Sequence, residues 1–363
     1  FAMPALGPAI MNVAMIAACL WFVPRAKTGV VALAVSVMVG GVLQVLIQIP
    51  VAMRLGVTWR WRWHHPGAQE VMKLLGPRTM GSAVYQASVI VDTALASLGW
   101  IVGEGAVAAL YYANRLVQLP LAVFGTATAQ ASLPSLSEHA AHGDLASFRR
   151  VLLSVIRMVA FVILPASVGL MVLAVPIVGG LFERGAFDRH ATAMTSQALF
   201  CYAIGLLAFA LNKVLTGAFY ALQETRTPVR LAMEAIAANV LLSVILMWPL
   251  KVAGLALAAA LTNTWNAYRL LRSMERHLET PLLDHVAGPL ARMTAAALSM
   301  GGGCWVLWTI GGFDTRPVLG LAVTIAAALP LYGAVCALIH VEELATVLRW
   351  LRQLPFVHIF GNE

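Results

Sequence analysis

Ala106 to Leu136 read A-V-A-A-L-Y-Y-A-N-R-L-V-Q-L-P-L-A-V-F-G-T-A-T-A-Q-A-S-L-P-S-L, and this stretch decides the fold class of the chain. It is long and apolar enough to cross a bilayer, because about 20 apolar helical residues match the hydrocarbon thickness. Near its middle lies Arg115, and an arginine at that depth costs roughly 3 kcal/mol on insertion scales. The guanidinium must therefore face water, a protein partner or an anion.

Polar residues of the same stretch recur at intervals of three and four, which places them on one face of a helix. They are Tyr111, Asn114, Arg115 and Gln118. Either the arginine pairs or snorkels inside the bundle, or it forms the cationic wall of a cavity that receives an anionic substrate. We predict the cavity, and Lys213, in another apolar segment, is either a second cavity cation or a snorkelling residue.

The composition requires lipid as a solvent for the rest of the chain. The 363 residues are 60% hydrophobic and 11% charged, whereas soluble domains average about 25% charged residues. Apolar windows predict an all-α, polytopic transmembrane helix bundle of about ten spanning helices. These lie at roughly 4–23, 29–52, 70–99, 105–134, 150–176, 195–221, 228–248, 252–271, 288–310 and 317–339.

The basic residues predict the orientation. Sixteen of the 24 Lys and Arg residues fall at one end of the predicted spans and six at the other, so the positive-inside rule places the richer end, and both ends of the chain, in the cytoplasm. This asymmetry also explains the net charge of +8, and nucleic acid is not an expected partner. The Trp-Arg stretch Thr58–His65 is typical of a headgroup layer, and 143–157 and 342–354 are predicted amphipathic surface helices.

Other candidate residues lie in or beside the spans. Asp92 either pairs with a polar neighbour or binds a cation or proton, and Asn239 and Thr262 either lend oxygens to an ion or hold helices together. The turn at Glu183, Arg184 and Gly185 is either a gate or a capped loop with a surface ion pair. The sequence contains no phosphate loop, nucleophile elbow or metal-ligand cluster, so we predict a transporter with no catalytic residues and no bound metal.

Several motifs together resemble the MurJ (MviN) family of lipid II flippases. They are L-G-P-R-T-M-G at 75–81, V-D-T-A-L-A-S at 91–97, Y-Y-A-N-R-L-V-Q-L-P at 111–120, L-P-S-L at 133–136, F-E-R-G-A-F at 182–187 and F-Y-A-L-Q-E-T-R-T-P at 219–228. The resemblance implies a fourteen-helix exporter of the multidrug/oligosaccharidyl-lipid/polysaccharide superfamily, with two lobes and two extra helices. By that alignment the chain holds helices five to fourteen, and the N-terminal four are missing.

The resemblance also implies the domain organisation. Residues 1–67 would be the remainder of the N-terminal lobe, 68–280 the C-terminal lobe of six helices, and 281–363 two extra helices with a cytoplasmic tail. In the family, the extra helices form a groove for the polyprenyl tail of the substrate. Some members bind sodium near positions that match Asp92, Asn239 and Thr262, although Ser243 stands where such members carry an acid.

The function implied by the resemblance is transport without chemistry. Lipid II would be flipped from the cytoplasmic to the periplasmic leaflet of the bacterial inner membrane by alternating access, with no cofactor, and with Na⁺ or the membrane potential as the driving force. Expected partners are lipid II, membrane lipids and cell-wall synthesis proteins. The alternatives are a flippase for another polyprenyl-pyrophosphate-linked oligosaccharide, a drug exporter of the same superfamily, or, from a different class, a membrane-embedded glycosyltransferase.

Overall fold

The chain is helical throughout the part that is described. The computed structural model describes residues 2–25, 28–54, 89–313 and 317–353, and every secondary-structure element in these ranges is a helix. The predicted all-α bundle is confirmed. The chain divides into two compact units, Phe1–Gly76 and Pro77–Glu363. The predicted boundary after residue 67 and the Trp-Arg stretch at 58–65 lie outside the described residues.

The described part of the first unit is a helical hairpin. Helix α1 (Ala2–Ala17) continues through a π-helical segment (Ala18–Phe22) and a 3-10 turn (Val23–Arg25), and α2 (Gly29–Arg54) packs along α1. Most large apolar side chains of α2 are exposed. An exposed apolar surface of this kind is stable in lipid, because there is no hydrophobic penalty for it there.

The second unit forms the larger bundle. Its helices are α3 (89–96), α4 (Gly99–Val102), α5 (Ala106–Pro120), α6 (Ala127–Ala141), α7 (Leu145–Val172), α8 (Ala174–Phe182), α9 (Arg189–Ile204), α10 (Leu206–Ala221), α11 (Arg226–Leu278), α12 (Leu283–Gly311), α13 (Pro317–Leu338) and α14 (Glu342–Gln353). A π-helical segment, Leu121–Thr126, joins α5 to α6. The main core lies between α5, α7, α9, α10 and α11, and a second cluster fills the space between α7, α12 and α13.

Helix α11 is broken into two antiparallel halves. Lys251 has φ 52° and ψ −130°, two residues after Pro249, which has no backbone N–H with which to continue the helix. Contacts join the two halves across the break, since Glu234 binds Arg269 and the Asn239 Oδ1 accepts from the Thr262 hydroxyl at 3.3 Å. The predicted separate spans at 228–248 and 252–271 are therefore the two halves of a hairpin.

The predicted span at 195–221 is formed by two helices. Helices α9 and α10 meet at Gly205 with a bend of 45°. A Cβ atom at Gly205 would lie 2.7 Å from the Cα of Ala260, so α11 passes too close for any side chain there. The Ser167 hydroxyl of α7 donates to the carbonyl of Ala203 at 2.5 Å, which satisfies a backbone group near the bend.

The span count agrees with the prediction for the described residues. Seven helices are long and apolar enough to cross a membrane, or eight if α9 and α10 form one span. Both totals count the broken helix α11 once, whereas the prediction counts its two halves as two spans. The predicted span at 70–99 lies mostly outside the described residues. The predicted surface helix at 143–157 is instead the beginning of α7, which runs without interruption from Leu145 to Val172.

Contacts between helix ends define a basic end of the second unit, at the start of α7 and α12 and the end of α11. The Arg149 Nη2 lies 3.0 Å from the Nε2 of His285, and the Arg157 Nη2 donates to the carbonyl of His285 at 2.7 Å. Arg157 also forms an ion pair of 3.7 Å with Glu342 at the start of α14. Asp144 caps α7 by accepting the Ser147 amide at 2.9 Å, and hydrogen bonds from Ser147 hold the pKa of its carboxyl below the ordinary value.

Candidate functional site

Helix α5 separates an apolar face from a polar one. It begins after Gly105 and buries Ala109, Ala113 and Leu116, and it packs on α9. The opposite face is exposed and carries the four predicted residues Tyr111, Asn114, Arg115 and Gln118. We call these four residues the Arg115 face. The helical spacing of three and four places them together, whereas their role in substrate binding stays a prediction.

Arg115 is held by an aromatic ring and keeps its charge available. Its Nη2 donates to the Tyr111 hydroxyl at 3.0 Å, and its guanidinium carbon lies 5.0 Å from the centroid of the same ring. A guanidinium has five N–H donors, so this contact leaves most of them unused. Arg115 forms no ion pair with any described residue. Beside it the Gln118 amide lies 3.4 Å from the Asn114 Oδ1.

Lys213 lies at another level of the bundle. It is exposed on α10, and its Nζ donates to the Thr126 hydroxyl at 2.7 Å, in the π-helical segment. Thr126 follows Arg115 by eleven residues, which corresponds to a rise on the order of 15 Å along a helix. Lys213 is therefore hydrogen-bonded to the same helical run that carries Arg115, at a point farther along it.

The three residues expected near an ion form one hydrogen-bonded chain. The Asn239 amide donates to the Asp92 Oδ1 at 2.9 Å, and the Asn239 Oδ1 accepts from the Thr262 hydroxyl at 3.3 Å. Asn239 and Thr262 are buried. One helical turn beyond Asn239, the Ser243 hydroxyl is buried without a hydrogen-bond partner among the described residues. The cluster thus offers carboxylate, amide and hydroxyl oxygens, which are the ligands that hard cations prefer.

The predicted gate is a capped turn between α8 and α9. The Glu183 carboxylate accepts from the Thr192 hydroxyl at 2.8 Å and lies 3.9 Å from the Arg189 guanidinium. Gly185 has φ +61°, a left-handed conformation that favours glycine, and the carbonyl of Arg184 accepts the Phe187 amide at 3.1 Å. This geometry belongs to a capped loop with a surface ion pair, and a gating role stays a prediction.

An aromatic cluster that the sequence analysis missed connects this turn to α5. The ring centroid of Tyr112 lies 4.9 Å from that of Phe182 and 5.7 Å from that of Phe187, and 5.9 Å from that of Tyr111. We call Tyr111, Tyr112, Phe182 and Phe187 the aromatic cluster. Aromatic pairs at such distances contribute about 0.5–1.5 kcal/mol each beyond their buried area. The signal in the sequence is the pair of phenylalanines that flank the Glu183–Gly185 turn.

Comparison with known families and proteins supports one family. The family model described as "Lipid II flippase MurJ" matches residues 1–325. The chain is 33% identical over 357 residues to the "Probable lipid II flippase MurJ" of Haemophilus influenzae, covering 94% of this chain and 69% of that protein. It is 36% identical over 320 residues to the protein of that name from Vibrio cholerae, covering 87% of this chain and 59% of that protein. The "Lipid II flippase MurJ" of Burkholderia cenocepacia is 32% identical, and the match covers 92% of this chain and 66% of that protein.

Solved structures support the same fold. A structure titled "Lipid II flippase MurJ, inward closed conformation" matches with a TM-score of 0.76 at 22% identity, covering 94% of this chain and 68% of that chain. An inward-facing multidrug resistance transporter of the MATE family matches with a TM-score of 0.65 at 16% identity, covering 76% of this chain and 63% of that chain. The chain spans about two thirds of the length of these relatives. The family is one of transporters rather than enzymes, and this chain belongs to it, the MurJ family of lipid II flippases.

Proposed function

We propose that the protein flips lipid II from the cytoplasmic to the periplasmic leaflet by alternating access, with the Arg115 face as a wall of its substrate cavity. The observation that carries this proposal is an arginine in a membrane span, exposed on a polar face and without an ion pair among the described residues. A charge in that position is stable only if it faces water or an anion. Family membership supplies the identity of the anion.

The chemistry of the substrate explains why a cation is needed. A pyrophosphate attached to sugars cannot cross hydrocarbon unaided, because removing its charges from water costs many kcal/mol. A guanidinium replaces water with forked, charge-assisted hydrogen bonds to the phosphate oxygens. Tyr111 keeps the guanidinium in place without neutralising it. Lys213, at a different depth, would receive the same charge at another stage of the movement.

The orientation that we propose rests on the distribution of positive charge. The basic end, with Arg149 and Arg157, would face the cytoplasm, because positively charged loops are retained there. The Glu183–Gly185 turn would then face the periplasm, and both ends of the chain would be cytoplasmic. Cell-wall synthesis proteins are the predicted partners on the periplasmic side, where the product is used.

We further propose that the Asp92 cluster binds a sodium ion that is coupled to transport. Asp92, Asn239 and Thr262 would hold the ion through oxygen atoms, and the unpartnered Ser243 hydroxyl would complete the site in place of an acid. Asp92→Asn should abolish Na⁺ binding measured by ²³Na relaxation, whereas Thr264→Val, which removes a hydroxyl bonded to its own helix, should not. Equal Na⁺ binding by the Asp92 variant would contradict this assignment and leave the flippase proposal intact.

Two other substrates fit the same fold. A flippase for a different polyprenyl-pyrophosphate-linked oligosaccharide would use the same cation. A drug exporter is compatible with the MATE-like fold, but a cationic drug would be repelled by Arg115. The third alternative, a glycosyltransferase, is not supported by the family.

The direct test is translocation of a fluorescent lipid II analogue in proteoliposomes. A membrane-impermeant quencher or modifying reagent reports how much headgroup has reached the other leaflet. We expect lipid II to move faster than in protein-free vesicles and faster than a cationic drug in parallel vesicles. Absence of protein-dependent movement of lipid II, in vesicles where the protein is folded and inserted, would refute the proposal.

A further inference from the structure

The end of α11 lines an open cavity that the proposed transport cycle does not use. The cavity has a volume of about 740 Å³, and its walls include Trp265, Tyr268, Arg269, Arg272 and Arg276. The three arginines follow one another at intervals of three and four residues, so they lie on one face of the helix. The cavity is at the basic end, where the headgroups of membrane lipids lie if α11 spans the bilayer.

Two of these arginines have unused hydrogen-bond donors. The Arg272 Nε donates to the Tyr268 hydroxyl at 3.1 Å, and its Nη1 donates to the Glu275 Oε2 at 3.1 Å. The remaining donors of its guanidinium are free for a ligand, because the group has five. The Arg276 Nε donates weakly to the carbonyl of Arg272 at 3.4 Å, and Arg276 forms no ion pair among the described residues.

Two acids line the cavity beside these arginines: Glu279, which is exposed, and Glu275, whose carboxylate is already occupied. The Glu275 Oε1 accepts the backbone amides of Leu282 and Leu283, at 2.8 Å and 2.7 Å. Its charge therefore stabilises the turn into α12 as well as Arg272. Thr280 is one of the residues that line the cavity, and its buried hydroxyl has no hydrogen-bond partner among the described residues. This hydroxyl is a donor for an oxyanion and is independent of the arginines.

The aromatic rings orient the cations and continue into an apolar strip. The Arg269 guanidinium lies 4.8 Å from the ring centroid of Trp265, and that of Arg272 lies 5.4 Å from the ring of Tyr268. Such contacts fix a guanidinium without removing its positive charge. Trp265 is 40% exposed, and Leu261, one turn nearer the middle of the span, is 44% exposed. An apolar strip thus leads from the cavity toward the membrane interior.

We propose that this cavity binds the phosphate headgroup of an anionic membrane lipid, whose acyl chain lies along Leu261 and Trp265. Phosphate oxygens would accept hydrogen bonds from Arg272, Arg276 and the Thr280 hydroxyl. A soluble phosphate offers the same headgroup chemistry but has no chain for the apolar strip. The proposal concerns a lipid bound to α11 and does not depend on the transport of lipid II.

The test compares lipid binding by the 363-residue chain and by its double variant Arg272→Gln with Arg276→Gln. Native mass spectrometry, or titration with labelled lipid in detergent, gives the affinity for phosphatidylglycerol, for zwitterionic phosphatidylcholine and for glycerol phosphate as the soluble arm. Arg150→Gln is the matched control, because this exposed arginine lies at the basic end but outside the cavity. Thr280→Val tests the hydroxyl with little change in volume.

The expected outcome is a selective loss of phosphatidylglycerol. The affinity of the protein for phosphatidylglycerol should fall at least about tenfold in the double variant and by a smaller factor in Thr280→Val. A hydrogen bond to a charged group contributes about 1.5–3 kcal/mol, and about 1.4 kcal/mol corresponds to a factor of ten. Binding by Arg150→Gln should stay unchanged, and every variant should remain folded, although the double variant loses the contact of Arg272 with Glu275. Unaltered phosphatidylglycerol binding by a folded double variant would overturn the site. Glycerol phosphate binding as tightly as the lipid would overturn the assignment to a membrane lipid.

Discussion

Replacing Arg115 with glutamine tests the proposed cavity most directly. The substitution removes the positive charge but keeps a polar side chain of similar reach. A charge-assisted hydrogen bond contributes about 1.5–3 kcal/mol, and about 1.4 kcal/mol corresponds to a factor of ten. We therefore expect the rate of lipid II translocation to fall by about 10- to 100-fold.

Stability should change far less than transport. Arg115 is exposed, and the contacts that it loses are one hydrogen bond to Tyr111 at 3.0 Å and one ring contact at 5.0 Å. Together these are worth about 1–2 kcal/mol at most, because both lie at an exposed position. Tyr111→Phe is the matched control, since it removes the hydroxyl and keeps the ring under the guanidinium. We expect this variant to lose less than about threefold in rate, because the charge remains.

The assay is quencher accessibility of a fluorescent lipid II analogue in proteoliposomes, with equal amounts of inserted protein confirmed for each variant. Near-normal transport by Arg115→Gln, within about twofold of the parent, would show that the charge does not meet the substrate. That result would refute the reasoning from the Arg115 face, whatever the family of the chain. Loss of transport in Tyr111→Phe that equals the loss in Arg115→Gln would show instead that the position of the guanidinium matters as much as its charge.

Three further predictions follow from individual contacts. Gly205→Ala should lower the free energy of unfolding by about 1–3 kcal/mol, because the added Cβ would lie 2.7 Å from the Cα of Ala260. A chemical-denaturation midpoint equal to that of the parent would contradict the tight contact. Tyr112→Ala should accelerate trypsin cleavage at Arg184, because the turn loses two aromatic contacts; unchanged cleavage would mean that the turn is held by its own hydrogen bonds. Ser243→Asp should raise Na⁺ affinity measured by ²³Na relaxation, since it adds a carboxylate beside an existing oxygen cluster, and a lower affinity would place the ion elsewhere.

Local patterns in the sequence account for much of the fold. Apolar windows locate the spans because every backbone polar group in lipid must be satisfied within its own helix, so a span is a local property. The Arg115 face is equally local, since spacing alone places its residues together. Pro249 also favours a break in α11, because a proline has no backbone N–H with which to continue the hydrogen bonds of a helix.

Features that depend on a distant neighbour could not be predicted in the same way. Ala260 lies against the bend at Gly205, and no pattern near residue 205 predicts that approach. The beginning of α7 has an amphipathic pattern and was predicted as a separate surface helix. In the structure it continues into the span, and Arg149 and Arg157 contact His285 on α12, a partner far away in the sequence.

The Asp92 cluster illustrates the same limit. Asn239 and Asp92 are separated by 147 residues, yet their side chains share a hydrogen bond of 2.9 Å. Asp92 stood out as an acid within a span, but its partners were suggested by the family resemblance and not by spacing. The sequence does not predict the partner of Lys213. Nothing in the local pattern singles out the Thr126 hydroxyl, and it becomes a candidate only because α10 packs on the π-helical segment.

The aromatic cluster gives the Arg115 face a mechanical connection to the turn between α8 and α9. Tyr112 contacts Phe182 and Phe187 on either side of that turn, and its neighbour Tyr111 holds the Arg115 guanidinium. Displacing the turn alone would break two aromatic contacts, at about 0.5–1.5 kcal/mol each, whereas moving the turn together with α5 would break neither. A rocking movement should therefore carry both as one body. We therefore expect the turn to move with the helix that bears the charge, so that a gate formed by the turn would open together with the proposed cavity and not independently of it.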